Sequence, residues 1–183
     1  MKQVFLSLCV AAALTACNSS DTKTADDSKM TETKVAAMTA SDMPYEIKEW
    51  GDWQPGNMEH AKMAMQSLKD YQNGNMDAAL QPFADSIELR FDDLNGKFTK
   101  DSVAKMFAKS RAMSKSMDIQ MDDFESVKSK DGKQEYVSLW YKQKWQDQKG
   151  GWDSVFCMDD MKIVNGKIAS IDEKTRRFPK KKM

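Results

Sequence analysis

Apolar side chains between residues 57 and 81 recur at three- and four-residue steps, which is the period of a helix. The first stripe comprises Ala61, Met65, Leu68 and Tyr71. We expect this helix to begin near Asn57 and to end at Gly74, because glycine tolerates the left-handed backbone that commonly ends helices. A second, short helix is predicted over residues 76–81, with Asn75 as its cap and Pro82 just after it.

The next segment alternates between apolar and polar residues, as a half-buried strand does. Its apolar members are Ile87, Leu89 and Phe91, and its polar members are Glu88 and Arg90. Residues 92–96 predict a turn, and Thr99 is a suitable cap for a third helix. The inner stripe of that helix is predicted to be Val103, Met106, Phe107, Ser110 and Met113.

After residue 117 the period of the pattern changes to two, which predicts strands. We expect them over about residues 118–127, 136–141, 152–164 and 167–177. Asn165–Gly166 is the strongest hairpin signal in the chain, because such a two-residue turn needs positive φ at both positions. The predicted order is two helices, a strand, a helix and four strands. This order is typical of an α+β fold in which helices cover one face of an antiparallel sheet.

The beginning of the chain predicts an export signal. Lys2 precedes an apolar run, residues 4–13, that is too short to span a bilayer. The run leads into Leu14-Thr15-Ala16-Cys17, which resembles the lipobox of bacterial lipoproteins. The resemblance implies that residues 1–16 are a signal peptide, that Cys17 is diacylglycerated, and that its new amine receives a further acyl chain such as palmitate. An ordinary signal peptide that is cut elsewhere is the alternative.

Residues 17–42 predict a tether that follows the lipid-bearing cysteine. From residue 18 to residue 42 there are nine Ser or Thr, four Asp, one Glu and three Lys, with no aromatic residue, Gly or Pro. Such a segment buries too little apolar surface to offset the entropy of ordering it. Asn18 is not the Asp that retains enteric lipoproteins in the inner membrane, so we expect an outer-membrane anchor facing the periplasm or the cell surface. One domain is predicted over residues 43–183.

Composition excludes some classes of function. The 183 residues carry 28 basic and 28 acidic side chains, so the basic excess of a dedicated nucleic-acid binder is missing. The only histidine, His60, has no partner at ligand spacing, so we expect neither a metal nor another cofactor. Because Cys9 lies in the signal peptide and Cys17 carries lipid, Cys157 is the one remaining thiol. A buried core residue is favoured over a catalytic thiol at that position.

Four short phrases occur in order along the predicted domain. They are GNMDAAL at 74–80, FADSI at 83–87, GK at 96–97 with DSV at 101–103, and NGKI at 165–168. Their order and spacing resemble the nuclear-transport-factor-2-like superfamily, in particular its SnoaL-like branch, over residues 57–175. The resemblance implies a cone, in which a strongly bent sheet wraps around three helices and leaves one end open. It also implies a pocket between the helices and the sheet, and frequent homodimers formed through the sheet.

The same superfamily contains isomerases, dehydratases, polyketide cyclases, epoxide hydrolases and members that only bind. In its ketosteroid-isomerase-like members a general-base Asp lies near the end of the first strand, and the resemblance puts Arg90 at that position. Arginine stays protonated and cannot be this base, which disfavours isomerase chemistry. Arg90 is instead a candidate for holding an anionic ligand, with Glu88 as its partner. The alternative is that both side chains face solvent.

The strand before Asn165 supplies the other candidates. Strand parity puts Val155, Cys157, Asp159, Met161 and Ile163 on one face. The resemblance marks Met161 as an inward position, so Asp159 and Cys157 are expected to point inward as well. An inward carboxyl group costs free energy unless it is paired, which makes Asp159 the best candidate for a polar group in the pocket. A bulge would select Asp160 instead, and Trp140 is a further pocket candidate.

Three hypotheses for the function follow. The favoured one is a non-enzymatic, lipid-anchored envelope protein that binds a small apolar or amphipathic molecule or a protein partner, as a homodimer. The second is a structural dimeric envelope protein whose cone is filled by its own side chains. The third is a small isomerase, dehydratase or cyclase that uses Asp159 together with Arg90 or a tyrosine.

Overall fold

The computed structural model of the protein describes residues 39–47, 52–92 and 94–178. The predicted signal peptide, Cys17, most of the tether and the last five residues lie outside the described residues. The chain divides into two units, one ending at Met43 and one beginning at Pro44. In the first unit the structure describes a single 3₁₀ turn, Ala40–Asp42. None of the helices described in the chain is both long and apolar enough to cross a membrane.

The second unit contains the three predicted helices. They are α1 (Met58–Asn73), α2 (Met76–Leu80) and α3 (Lys100–Ala112). The side chain of Asn57 accepts a hydrogen bond from the first turn of α1, and Gly74 ends that helix at φ +81°. Thr99 caps α3 in the same way as Asn57 caps α1. The prediction for Asn75 is wrong in one respect, because its side chain makes no capping hydrogen bond to α2.

Seven strands form one sheet in this unit. They are β1 (Trp53–Pro55), β2 (Phe83–Phe91), β3 (Leu94–Thr99), β4 (Ser114–Ser129), β5 (Glu135–Asp147), β6 (Trp152–Val164) and β7 (Lys167–Arg177). Their order across the sheet is β1-β4-β5-β6-β7-β2-β3. Neighbouring strands are antiparallel, except that β2 runs parallel to β7. The predicted α+β class is confirmed: the helices and the sheet are separate along most of the chain, and the sheet is strongly curved and unclosed.

Two of these strands were not predicted from the pattern. β1 has only three residues, and all three are exposed, so it carries no alternation to recognise. β3 was hidden by Asn95–Gly96, which reads as a turn in sequence. In the structure Phe91 pairs with Leu94, so the chain reverses at Asp92 and Gly96 already lies within a strand. The predicted turn over residues 92–96 is therefore wrong in its extent.

Irregularities in pairing accompany the curvature of the sheet. The register shifts in β4 between Met121 and Asp123, and in the β6–β7 pair next to Lys162. An extra residue on one strand increases the local twist and bends the strand, so these positions help to wrap the sheet around the helices. At the β6–β7 hairpin Asn165 and Gly166 have φ of +52° and +70°, which confirms the predicted two-residue turn.

The hydrophobic core lies between the helices and the concave face of the sheet. Its most completely buried aliphatic side chains are Ile87, Leu89, Val103, Val137, Leu139 and Ile168. Met113 was expected on the inner stripe of α3, but it is 62% exposed because the helix ends at Ala112. The helical period no longer applies beyond that residue, so Met113 turns away from the core.

Candidate functional site

A cavity of about 310 Å³ lies between the three helices and the concave face of the sheet. Every helix and five of the seven strands contribute to its wall. The helices supply Ser67, Leu68, Tyr71, Ala79, Met106, Phe107 and Ser110, and the strands supply Phe83, Leu89, Phe91, Leu94, Tyr141, Gln143, Asp159, Met161, Ile171 and Glu173. Ser110 is exposed as well as lining the cavity, so it lies at the opening.

Three ionisable side chains meet on neighbouring strands at one side of this cavity. Asp159 on β6 lies directly opposite Glu173 on β7, and Tyr141 on β5 is a diagonal neighbour of Asp159. The Tyr141 hydroxyl donates a hydrogen bond to Oδ2 of Asp159 over 3.0 Å. The other oxygen, Oδ1, is buried and has no hydrogen-bond partner among the described residues. The site therefore contains one buried acceptor, Oδ1 of Asp159, that no described residue satisfies.

Burial changes the ionisation of these groups. Loss of hydration, and then the charge of Glu173, raise the pKa of Asp159 well above its usual range. Burial, and then the charge of Asp92, also raise the pKa of Glu173. Burial and the neighbouring Asp159 carboxyl raise the pKa of Tyr141, so its hydroxyl stays protonated as a donor. The two carboxyl groups thus hold protons to higher pH than exposed carboxyl groups do.

The rest of the wall is mainly apolar and rich in aromatic rings, and its other polar side chains include Ser67, Ser110 and Gln143. Phe107 of α3 is at the centre of this cluster: its ring meets Tyr71 edge-on at 5.7 Å and stacks on Phe91 at 6.1 Å. Phe83 contacts Phe107 edge-on at 6.2 Å. The Tyr71 hydroxyl donates to Oγ of Ser110 over 3.3 Å, which joins α1 to α3 near the opening. The wall therefore suits a mainly apolar molecule with one polar group.

Two of the residues singled out in the sequence lie on the inner face. Asp159 is 4% exposed and lines the cavity, whereas Asp160 points outward and bonds to Ser138 and Lys174. Cys157 is buried on the same inner face but does not line the cavity. Burial, and then the charge of Glu173, raise the pKa of its thiol, which keeps the thiol protonated and unsuited to nucleophilic attack.

Three other candidates lie away from the cavity, and the expectation that they line it is wrong. Glu88 and Arg90 are on the outward face of β2, where a guanidinium nitrogen of Arg90 lies 2.6 Å from the Glu88 carboxylate. Trp140 lies between Leu139 and Tyr141, which are both buried, so alternation along β5 turns its ring to the other face. The outward alternative for Glu88 and Arg90 is the one observed.

Glu173 is the residue of the site that sequence reasoning missed. Counting in twos from the inward Ile168 puts Glu173 on the outer face. The register shift between β6 and β7 leaves Ala169 without a partner, and Ile171 and Glu173 then face inward. The signal that could have revealed this is the three-residue spacing of Ile168 and Ile171, which a regular strand does not place on one face.

Other parts of the described structure offer less chemistry. No group of three or more potential metal ligands occurs among the described residues. His60, near the start of α1, has its Nδ1 2.6 Å from Oε1 of Glu135 on β5. It does not line the cavity. A second concavity of about 510 Å³ lies between α1 and β4, and its ionisable lining groups are Lys62 and Lys69. Because it presents no buried polar group, the inner cavity is the better candidate site.

Comparison with known proteins bears on the fold. No protein-family model matches the chain, and no curated protein matches its sequence. Among solved structures, AusH from Aspergillus nidulans superposes with a TM-score of 0.54 at 15% identity, over 67% of this chain and 87% of AusH. An NTF2-like protein of unknown function from Burkholderia pseudomallei gives 0.53 at 12% identity, over 64% of this chain and 90% of that protein.

A third solved structure is an LEH-like epoxide hydrolase from M. tuberculosis, with a TM-score of 0.52 at 10% identity, over 65% of this chain and 84% of the hydrolase. At such low identity the likeness concerns the path of the backbone and not the chemistry. The described part of the chain has the cone fold of NTF2-like and SnoaL-like proteins.

Proposed function

We propose that this protein is a lipid-anchored component of the bacterial cell envelope whose cone binds a small, largely apolar molecule. The observation that carries the proposal is the inner cavity, with an unpartnered oxygen of Asp159 in its wall. A buried acceptor without a donor costs about 1–3 kcal/mol. A ligand that donates a hydrogen bond to this oxygen would remove that cost while its apolar part replaces water against the aromatic wall.

The size of the cavity supports binding over a purely structural role. Pockets for small molecules commonly measure about 300–1,000 Å³, and this one is about 310 Å³. The hypothesis of a cone filled by its own side chains expects no such space. Solved proteins of this fold include an epoxide hydrolase, so the fold alone does not separate a binding protein from an enzyme.

Closing the cavity with a large side chain is expected to remove the bound molecule. Ser110 lies at the opening, and the change Ser110→Trp puts an indole there. Native mass spectrometry of the whole protein, released gently from the envelope of its own host, should show an extra mass that leaves on denaturation. We expect this mass in the wild type and its loss in Ser110→Trp.

The matched control is Lys109→Trp, which adds the same side chain to the same helix at an exposed position outside the cavity wall. This variant should keep the extra mass. A wild-type protein with no extra mass, or a mass that survives in Ser110→Trp, would contradict the proposal. Equal loss in both tryptophan variants would assign the bound molecule to the surface of α3 and not to the cavity.

A second candidate function is acid–base catalysis in the same cavity. It is favoured by the contact between Tyr141 and Asp159 and by Glu173 beside them, because a protonated acid and a hydroxyl can both donate to a developing oxyanion. Asp159→Asn separates the two functions once the bound molecule is known. Under catalysis the variant loses turnover of that molecule, whereas a binding protein shows no turnover in either form.

The lipid anchor is part of the proposal and has its own test. We expect Cys17→Ala to lose all incorporation of labelled palmitate and to accumulate the chain with its signal peptide uncut, since the thiol is the acceptor of the lipid. Labelling in the native host with separation of inner and outer membranes measures both results, and an outer-membrane location is expected for the wild type. Cys157→Ala is the control and should be labelled normally. Labelled Cys17→Ala would refute the anchor.

A homodimer is proposed as well. The outward face of β5 and β6 carries aromatic rings covered by cations, such as Lys162 over Tyr136 at 5.7 Å and Lys144 over Trp152 at 4.5 Å. Large rings of this kind are enriched where protein surfaces meet. The stoichiometry is read from the same native mass spectra.

A further inference from the structure

The wall of the inner cavity is unbalanced in charge. Its described residues include two carboxyl groups, Asp159 and Glu173, but no Lys, Arg or His. Nearby cations are engaged elsewhere: Lys174 pairs with Asp160 at 2.9 Å and with Asp172 at 3.3 Å on the outer side of the sheet. No described side chain of the wall can therefore neutralise the two acids.

The position of the two acids makes this imbalance costly. Asp159 and Glu173 are directly opposite each other on adjacent antiparallel strands, where side chains are within about 4.5–5.5 Å at Cβ. Like charges at that distance destabilise each other, and burial strengthens the repulsion. The repulsion between the two carboxylates is relieved either when protons neutralise them or when a cation lies beside them.

We propose that the molecule bound in the cone is a lipophilic amine, held as an ammonium ion that donates an N–H to the carboxyl group of Asp159. The inference rests on the proposed function and adds the chemical class of the ligand. Its two independent supports are the buried Oδ1 of Asp159, a cavity-lining residue, which has no hydrogen-bond partner among the described residues, and the absence of any cation from the described wall.

The aromatic cluster supports the same class of ligand. Four aromatic rings line the same cavity as the two carboxyl groups: Tyr71, Phe83, Phe91 and Phe107. Aromatic faces attract organic cations, and the attraction is larger where water is excluded. An anionic ligand would be repelled by both acids and would find no cation in the wall. A neutral ligand would contact the aromatic rings but would not neutralise the two carboxyl groups.

The test compares two probes of the same shape that differ in charge. N,N-dimethylbenzylamine is an ammonium ion at neutral pH, and isobutylbenzene is its uncharged carbon analogue. Calorimetric titration of the whole protein in lipid nanodiscs, corrected with empty nanodiscs, gives the affinity for each probe. We expect the ammonium probe to bind about tenfold more tightly near pH 7.5, as a single charge-assisted hydrogen bond in a dry site would produce.

Asp159→Asn keeps the shape of the side chain and an acceptor for Tyr141, but removes the charge. We expect the tenfold preference to disappear in this variant while isobutylbenzene binds as before. The matched control is Asp160→Asn, the same change at the neighbouring outward residue, which should keep the preference. This pair of variants also controls for attraction of the amine to the membrane.

The preference should also depend on pH. The groups that act on Asp159 and on the acid beside it are Tyr141, Cys157, Glu173 and, through Glu173, Asp92 on the inner side, with Asp160 and Lys174 on the outer side of the sheet. Below the raised pKa values of the two acids the carboxyl groups retain protons and the preference should be small. It should grow as the pH rises through those values, because the ionised carboxyl group then attracts the cation. Asp159→Asn should flatten this rise.

Equal or tighter binding of isobutylbenzene by the wild type would overturn the amine inference and leave the proposed function standing. A preference for the ammonium probe that persists in Asp159→Asn would overturn it too, because the charge would then act elsewhere. Failure of both probes to bind would overturn the inference, and the native mass spectra of the wild type and Ser110→Trp would then decide separately whether the cone binds any molecule.

Discussion

Replacing Leu139 with alanine is expected to lower the free energy of unfolding by about 2–5 kcal/mol, the range for a leucine truncated in a well-packed core. The side chain is fully buried on the inner face of β5, at 0% exposure. β5 also lies between β4 and β6 in the sheet, so the surrounding backbone has little freedom to close the void. Chemical denaturation followed by tryptophan fluorescence measures the loss.

Val164→Ala is the control for this prediction. Val164 ends β6 next to the hairpin and is 43% exposed, so its truncation should change stability by no more than about 0.5 kcal/mol. Leu139 does not line the inner cavity, so the effect should be the same with and without the bound molecule. A cost below about 1 kcal/mol for Leu139→Ala would mean that the cone is loosely packed at its centre.

The ligand-free protein is expected to become less stable as the pH rises from about 4 through the raised pKa values of Asp159 and Glu173. The pKa of Asp159 and that of Glu173 are raised in the folded state, by burial first and then by neighbouring acids. Between the ordinary carboxyl pKa of about 4 and the raised values, the unfolded chain has lost protons that the folded chain keeps, so ionisation favours unfolding. This contribution to stability is complete below about pH 4 and is lost as the pH passes the raised values.

Another carboxyl group has the opposite dependence. Hydrogen bonds from Ser129 and from Lys133 lower the pKa of Asp131 to about 2, so its contribution is lost as the pH falls towards that value. Asp131 is in the exposed turn between β4 and β5, where solvent screens the effect. Taken together, these three carboxyl groups contribute most to stability at about pH 4, above the pKa of Asp131 and below the raised pKa values of Asp159 and Glu173.

Asp159→Asn isolates the inner acid. Denaturation midpoints measured across the pH range should decline less steeply above about pH 4 in this variant, because one titrating group and its repulsion of Glu173 are removed. Asp160→Asn removes an outward carboxylate that is paired with Lys174. Its charge affects the pKa of Asp159 less than burial and Glu173 do, so this variant should change the slope less than Asp159→Asn does. Parallel curves for the wild type and Asp159→Asn would show that Asp159 does not titrate in this window.

Local sequence determined the helices and most of the sheet. Gly74 ends α1, Thr99 caps α3 and Asn165–Gly166 turns the last hairpin as predicted, because each effect involves residues within one turn of backbone. Alternation along β6 also placed Asp159 inward and Asp160 outward. That strand is regular between Val155 and Met161, so the period of two holds there.

Prediction of the cavity lining was less complete. Arg90 was a candidate through the family resemblance, and Trp140 was a further pocket candidate on β5. Both proved to be outward because the direction of a side chain depends on the parity of its own strand. The prediction that Glu88 lines the pocket was wrong for the same reason, because Ile87 and Leu89 occupy the inward positions of β2 and Glu88 lies between them.

The sequence by itself determined the three helices, five of the seven described strands and the α+β class, and together with the family resemblance it favoured Asp159 over Asp160 as the inward aspartate of β6. Only the tertiary structure decided that this aspartate lies beside Glu173 and Tyr141 in a shared cavity whose described wall contains no cation. The physical reason is that these three residues lie on three strands, and their meeting depends on strand order and register. The register of β7 is shifted by a bulge in its pairing with β6. The three-residue spacing of Ile168 and Ile171 signals this bulge within β7, but only the pairing with β6 puts Glu173 opposite Asp159.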